Sequence, residues 1–195
     1  MSVTEAFRKC MGDALLEAVE FEPSTTFGIT SDDRLAYWNR EWVRMAEANG
    51  GLRVASEWPF GRNLWDAIPA VLRPFYENAF RKARETGDSI EHTYECSSPT
   101  HRRLFRMVMH PFADGALLIR NHAVLEVPHA ASDERLSVER YVDAHGHIAM
   151  CSNCRRARRV EFREAWDWVP AFVEQPPALV THSLCGTCFE IHYPA

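Results

Sequence analysis

Cys151-Ser-Asn-Cys154 and Cys185-Gly-Thr-Cys188, with thirty residues between them, decide how the last part of the chain folds. Each Cys-x-x-Cys turn makes a knuckle whose two sulfurs converge, and two knuckles place four thiolates around one tetrahedral ion. The plainer alternative is two local redox pairs, or unrelated buried cysteines. Four of the six cysteines fall into two copies of one spacing, which favours a shared metal. Zinc and a mononuclear iron use the same ligands, and spacing does not separate them. Four sulfurs leave no open coordination position, so the site reads as structural, ordering roughly the last fifty residues.

Outward from the knuckles, composition sets the frame. The chain has 195 residues, 46% apolar and 25% charged, enough for one domain of ordinary size plus a small module. A net charge of −5 argues against general nucleic-acid binding. No apolar run reaches the length of a membrane span, and the N-terminus lacks a signal-peptide layout. Cys10 and Cys96 are the only cysteines left over, which fits a reducing cytoplasm better than a disulfide scaffold.

Residues 4–20 predict one amphipathic helix, capped by Thr4, with Phe7, Met11, Leu15 and Ala18 on one face. Such a helix either packs on its own domain or pairs with a second copy. A hairpin follows: Thr26–Thr30, the Asp-rich turn Ser31–Arg34, then Leu35–Trp38. Asn39 stands where it can cap the next helix. Gly61-Arg-Asn-Leu-Trp-Asp leads into short helical pieces, then a longer helix over Val71–Thr86 that stops at Gly87. Three strands close the series, at Ile90–Cys96, Leu104–His110 and Ala116–His122, with Asp114-Gly115 as a tight turn.

That order resembles the PAS domain family over about residues 22–124. The marks are Tyr37-Trp38-Asn39 closing the first hairpin, Gly61-Arg-Asn-Leu-Trp-Asp, the helix ending at Gly87-Asp88, and the final strands with Pro111 and Asp114-Gly115. The resemblance implies an α+β fold, a five-stranded antiparallel sheet with flanking helices around a core that sometimes holds a ligand. The tail, with Cys151-x-x-Cys154-Arg155-Arg156-x-Arg158, a tryptophan at 166 and His182-Ser183-Leu184-Cys185-x-x-Cys188, is similar to a cysteine-rich tail of some bacterial PAS-containing signalling proteins; Gly186 stands where related tails carry proline. The expected division is an N-terminal helix over 1–21, a PAS-like domain over 22–124, a linker over 125–136 and a four-cysteine module over 137–195.

Within a PAS-like core, alternation along strands places His92, Tyr94 and Cys96 on one face, and Phe105, Met107 and Met109 on one face of the next. With Trp65 as a stacking surface, Trp65, His92, Tyr94, Cys96, Phe105 and Met107 are candidates for contact with an unidentified small molecule. The alternative is a filled core in which the polar members find local partners. The long helix lacks the histidine of the family's haem sensors, and Gly61–Pro69 lacks the reactive cysteine of its flavin photosensors.

Catalysis finds no phosphate-cradling loop, nucleophile elbow or zinc-protease motif, so no enzyme activity is expected. Arg155, Arg156, Arg158 and Arg159 follow the first knuckle, and Trp166 or Trp168 could stack on a base. They define a rival reading, a regulator contacting nucleic acid; a second rival is a thiol-based redox or metal switch. The expected function is a cytoplasmic PAS-type sensory module with a structural zinc site. It would relay a ligand or redox signal to a protein partner, as a homodimer formed through the PAS domain and N-terminal helix.

Overall fold

The structure is a computed structural model that describes residues 2–49, 51, 57–129 and 137–194. It divides into two units, neither continuous in sequence. The first comprises Met1–Ile68, Arg73–His92 and Arg106–Ala123; the second comprises Pro69–Leu72, Thr93–Phe105 and Val124–Ala195. The strand–helices–strand order expected over 22–124 is present, and the four cysteines belong to the second unit.

In the first unit a short strand, β1 (Ser2–Val3), precedes two helices, α1 (Glu5–Met11) and α2 (Asp13–Glu20), rather than one. The break is Gly12, whose φ of +74° lies in the left-handed region that favours glycine. The kink moves the buried stripe by one residue: Phe7 and Met11 are covered as expected, but then Leu16 and Val19 rather than Leu15 and Ala18. These side chains pack with Ala36, Tyr37, Ala116 and Leu118, so the helices cover their own sheet. Gly28 permits the close approach, since a Cβ there would lie 2.1 Å from the Phe7 ring.

β2 (Thr25–Ile29) and β3 (Leu35–Trp38) form the hairpin around the Asp-rich turn. Asp33, at φ +60°, turns the chain, and its carboxylate accepts from the Trp65 indole (2.9 Å) and Arg84 (2.6 Å). Arg84 lies on α4 (Arg73–Thr86), which buries Tyr76, Ala79, Phe80 and Ala83; α3 (Arg40–Ala48) stands between the hairpin and that helix in sequence. β4 (Ile90–Glu95), β5 (His101–Pro111) and β6 (Leu117–Pro128) complete a sheet of order β1-β3-β2-β6-β5-β4. It is the expected five-stranded antiparallel sheet with β1 added at one edge.

β5 begins three residues earlier than Leu104, and β6 runs to Pro128, into the stretch expected as linker from 125. Each lengthens because the other does: the His129 N–H still donates to the Thr100 carbonyl (3.0 Å) beyond their paired ends. Residues 130–136, the rest of that expected linker, lie outside the described residues.

In the second unit β7 (Ile148–Cys151), β8 (Ala157–Arg158), β9 (Trp166–Asp167) and β10 (Val180–Ser183) form a sheet of order β10-β7-β8-β9. Two short helices, α5 (Pro170–Glu174) and α6 (Gly186–His192), accompany it. Its apolar core is Tyr141, Ile148, Met150, Ala157, Val169 and Phe172.

Asn39 joins three elements of the first unit. Its side-chain oxygen accepts from Trp42 N–H, capping α3, and from Thr26 N–H on β2, both at 3.0 Å. Its amide donates to the carbonyls of Val19 (3.0 Å) and Ser24 (2.8 Å). The residue is 1% exposed, so losing its side chain would take a partner from each of these groups at a site that water does not reach. Asn39→Ala is therefore expected to lower unfolding free energy by about 2–4 kcal/mol, measured by urea denaturation; a change below about 0.5 kcal/mol, the scatter of ordinary surface substitutions, would contradict this role.

Candidate metal centre

β10 pairs with β7 in parallel, Val180 opposite Ile148 and Ser183 opposite Cys151. That register brings the second knuckle level with the first, although thirty residues separate them. The first knuckle is a tight turn in which Arg155 N–H donates to the Cys151 carbonyl (3.0 Å) and Cys151 N–H to the Arg156 carbonyl (2.9 Å). Arg155 takes φ +62° to close it. Cys185 caps α6, and the helix's first turn carries Cys188.

All four sulfurs lie within 4.8 Å of one another, and Cys154 Sγ is 3.7 Å from Cys185 Sγ. Four sulfurs about 2.3 Å from a tetrahedral centre would stand about 3.8 Å apart. The separation is far beyond a disulfide bond, and all six cysteines of the chain are free. The four cysteines are buried, with Trp166 and Leu184 packed against them. Cys185 N–H donates to Cys151 Sγ (3.4 Å), Cys188 N–H to Cys185 Sγ (3.5 Å), and the Asn153 amide to Cys188 Sγ (3.3 Å).

The crowding perturbs the thiols in opposite directions. Sulfur hydrogen bonds from Cys154, then Cys185 and Cys188, hold Cys151 far below its ordinary value, while the same contact with Cys151 drives Cys154 far above it. Like charges this close do not coexist without a counter-ion. A thiophilic cation at the centre lets all four ionise, so the donor set fits one such ion. His192 is buried near the sulfurs, and burial lowers its pKa, favouring the neutral ring.

The arginines after the first knuckle largely turn to partners within the unit. Arg156 makes a two-pronged ion pair with Glu95, both contacts 3.1 Å. Arg159 does the same with Asp167 (2.6 and 3.0 Å), which also accepts from the buried Tyr141 hydroxyl (2.8 Å). Arg158 lies over the Trp166 ring, and Arg155 is exposed. Trp168 stacks on His129 at 4.5 Å. The sequence singled out the arginines but not Glu95, Asp167 or Asn153. Asn153 could have been found as the polar residue inside a knuckle; Glu95 lies 61 residues from its partner, and no local pattern marks it.

The small-molecule candidates fall in both units. In the first unit Trp65 packs on Phe80, His92 on Phe75 at 4.4 Å, and Met107 is buried. In the second unit Tyr94 stacks on Phe105 at 5.8 Å. Cys96 lies past the end of β4 and is exposed, so it does not share an inward face with His92 and Tyr94.

No protein-family model matches the chain, and no curated protein does. Among solved structures, the chain is similar to the photoactive yellow protein domain of the sensor histidine kinase Ppr from Rhodospirillum centenum. The identity is 15% and the TM-score 0.39, over 61% of this chain and 99% of that one. It is also similar to a domain of a sensory box sensor histidine kinase/response regulator from Geobacter sulfurreducens. There the identity is 14% and the TM-score 0.38, over 61% of this chain and 96% of that one.

The Arg159–Asp167 pair has a pH signature. The hydrogen bonds from Arg159 lower the Asp167 pKa below the usual 3.8. The stability it contributes is thus fully present above pH about 4–5 and is lost as pH falls through the lowered value. Arg159→Gln, which leaves the carboxylate part-buried with one partner fewer, is expected to cost about 1–3 kcal/mol at pH 7 in urea denaturation and less at pH 3. Arg155→Gln should change stability by less than about 0.5 kcal/mol. Equal effects of the two substitutions would contradict this assignment.

Proposed function

We propose that the chain is a cytoplasmic PAS-type signalling module, without chemistry of its own, whose C-terminal part is ordered by one zinc ion at Cys151, Cys154, Cys185 and Cys188. The observation that carries the metal assignment is the closed, buried set of four sulfurs, all within 4.8 Å of one another. Such a set offers a bound ion no open position for substrate, which supports a structural role. Bound there, zinc would neutralise the thiolates and join the knuckles.

The sensory part of the reading rests on the PAS-like sheet and its covering helices. A signal in that unit would be relayed by contact with a protein partner, a second copy among them. The apolar stripe of α1 and α2 lies on its own sheet, so pairing would draw on other faces, including exposed Leu15 and Phe21. Nucleic-acid contact is the weaker reading, because Arg156 and Arg159 are held in ion pairs. Among the described residues no helix is long and apolar enough to cross a membrane.

Native mass spectrometry with elemental analysis tests the metal assignment. One zinc per chain is expected, with Cys185→Ser lowering retention by at least about 100-fold, or about 2.7 kcal/mol of binding free energy. Chelation should alter the fluorescence of Trp166, which packs against the cysteines. Iron in place of zinc would correct the metal; a metal-free chain indifferent to chelator would refute the site.

A further inference from the structure

Arg156 stands between the first metal knuckle and β8. Its carbonyl accepts the Cys151 N–H (2.9 Å), so its backbone is set by the turn that presents Cys151 and Cys154. Its guanidinium grips Glu95, the last residue of β4, through two contacts of 3.1 Å. Glu95 is 7% exposed and also accepts from Ser97 Oγ (2.9 Å). Ser97 Oγ in turn accepts the Arg103 N–H (3.3 Å) on β5, and the Arg103 side chain donates to the Cys96 carbonyl (3.2 Å). Ser97 and Arg103 are buried as well. The β4–β5 turn is thus tied by a buried polar network with Arg156 as its link to the knuckle.

Resting on the zinc reading above, we propose that the β4–β5 turn reads the occupancy of the metal centre through Arg156. While an ion holds Cys151 and Cys154, the knuckle keeps its shape and presents Arg156 to Glu95. When the ion leaves, nothing joins the two knuckles, the turn that carries Cys151 and Cys154 loosens, and Arg156 loses its fixed position. Glu95 then keeps only the longer ion-pair contact with the half-exposed Arg102 (3.9 Å), and a buried carboxylate so weakly paired is costly, so the network around it opens. Divalent zinc is therefore the effector, and the hairpin turn spanning residues 93–105 is the element it orders. The centre acts as a metal-responsive fastening for a segment that ends 46 residues before Cys151 in sequence.

Hydrogen–deuterium exchange on the full-length protein tests this, with metal content measured on every sample. In the wild type, stripping zinc should raise exchange at residues 93–105 at least about tenfold, the change set by losing about 1.4 kcal/mol of local protection. Arg156→Gln should retain one zinc per chain and leave 148–154 and 180–192 protected, yet show raised exchange at 93–105 before any stripping. Glu95→Gln should give the same pattern and carries the test if Arg156→Gln does not accumulate. Arg158→Gln should leave 93–105 unchanged. The inference is overturned if zinc-loaded Arg156→Gln and Glu95→Gln protect 93–105 as well as the wild type, or if wild type keeps that protection after losing its metal. A wild-type chain that binds no metal overturns the zinc reading itself, and this inference with it.

Discussion

Four sulfurs drawn to one point are the constraint on which the second unit depends. Short strands of two to four residues and a core of six buried side chains give the chain after Val124 little with which to hold its shape. The knuckles supply the rest only if their mutual repulsion is cancelled. In small metal-folded modules, one ion supplies about 10–16 kcal/mol of binding free energy, more than the whole net stability of many domains. The N–H groups of Cys185 and Cys188 and the Asn153 amide, all aimed at sulfur, are arranged for thiolates.

The first unit is held differently. Its sheet is covered by α1 and α2 through Phe7, Met11, Leu16 and Val19, and the cover fits because Gly28 offers no side chain to the Phe7 ring. Polar residues fix the corners. Asn39 serves two N–H groups and two carbonyls, while Asp33 gathers Trp65 and Arg84 at the hairpin turn. Buried polar groups of this kind add directional constraints that apolar packing lacks. They make the strand–helix junctions single-valued.

Local pattern carried much of this to the sequence reader. The β2–β3 hairpin, the capping role of Asn39, the helix stripe at Tyr76, Ala79, Phe80 and Ala83, and the turn at Asp114-Gly115 all follow from period and turn chemistry. Both knuckles were legible because their spacing is itself the geometry. The break at Gly12 was hidden by an apolar rhythm that reads as continuous across it, though one glycine re-phases the stripe. The lengths of β5 and β6 were hidden because each strand's extension depends on the other's, which no window on a single segment sees. The partners of the arginines were hidden for a similar reason. A basic run looks solvent-facing until its acidic partners, Glu95 from β4 and Asp167 from β9, are brought to it by tertiary structure.

Whether one ion sits among these four sulfurs is most directly measured by X-ray absorption at the metal edge of the purified, full-length protein. Four sulfur neighbours at about 2.3 Å around zinc, with no nitrogen or oxygen in the nearest shell, is the predicted result. A shell containing nitrogen or oxygen, fewer than four sulfurs, or no bound metal would contradict the closed four-thiolate centre.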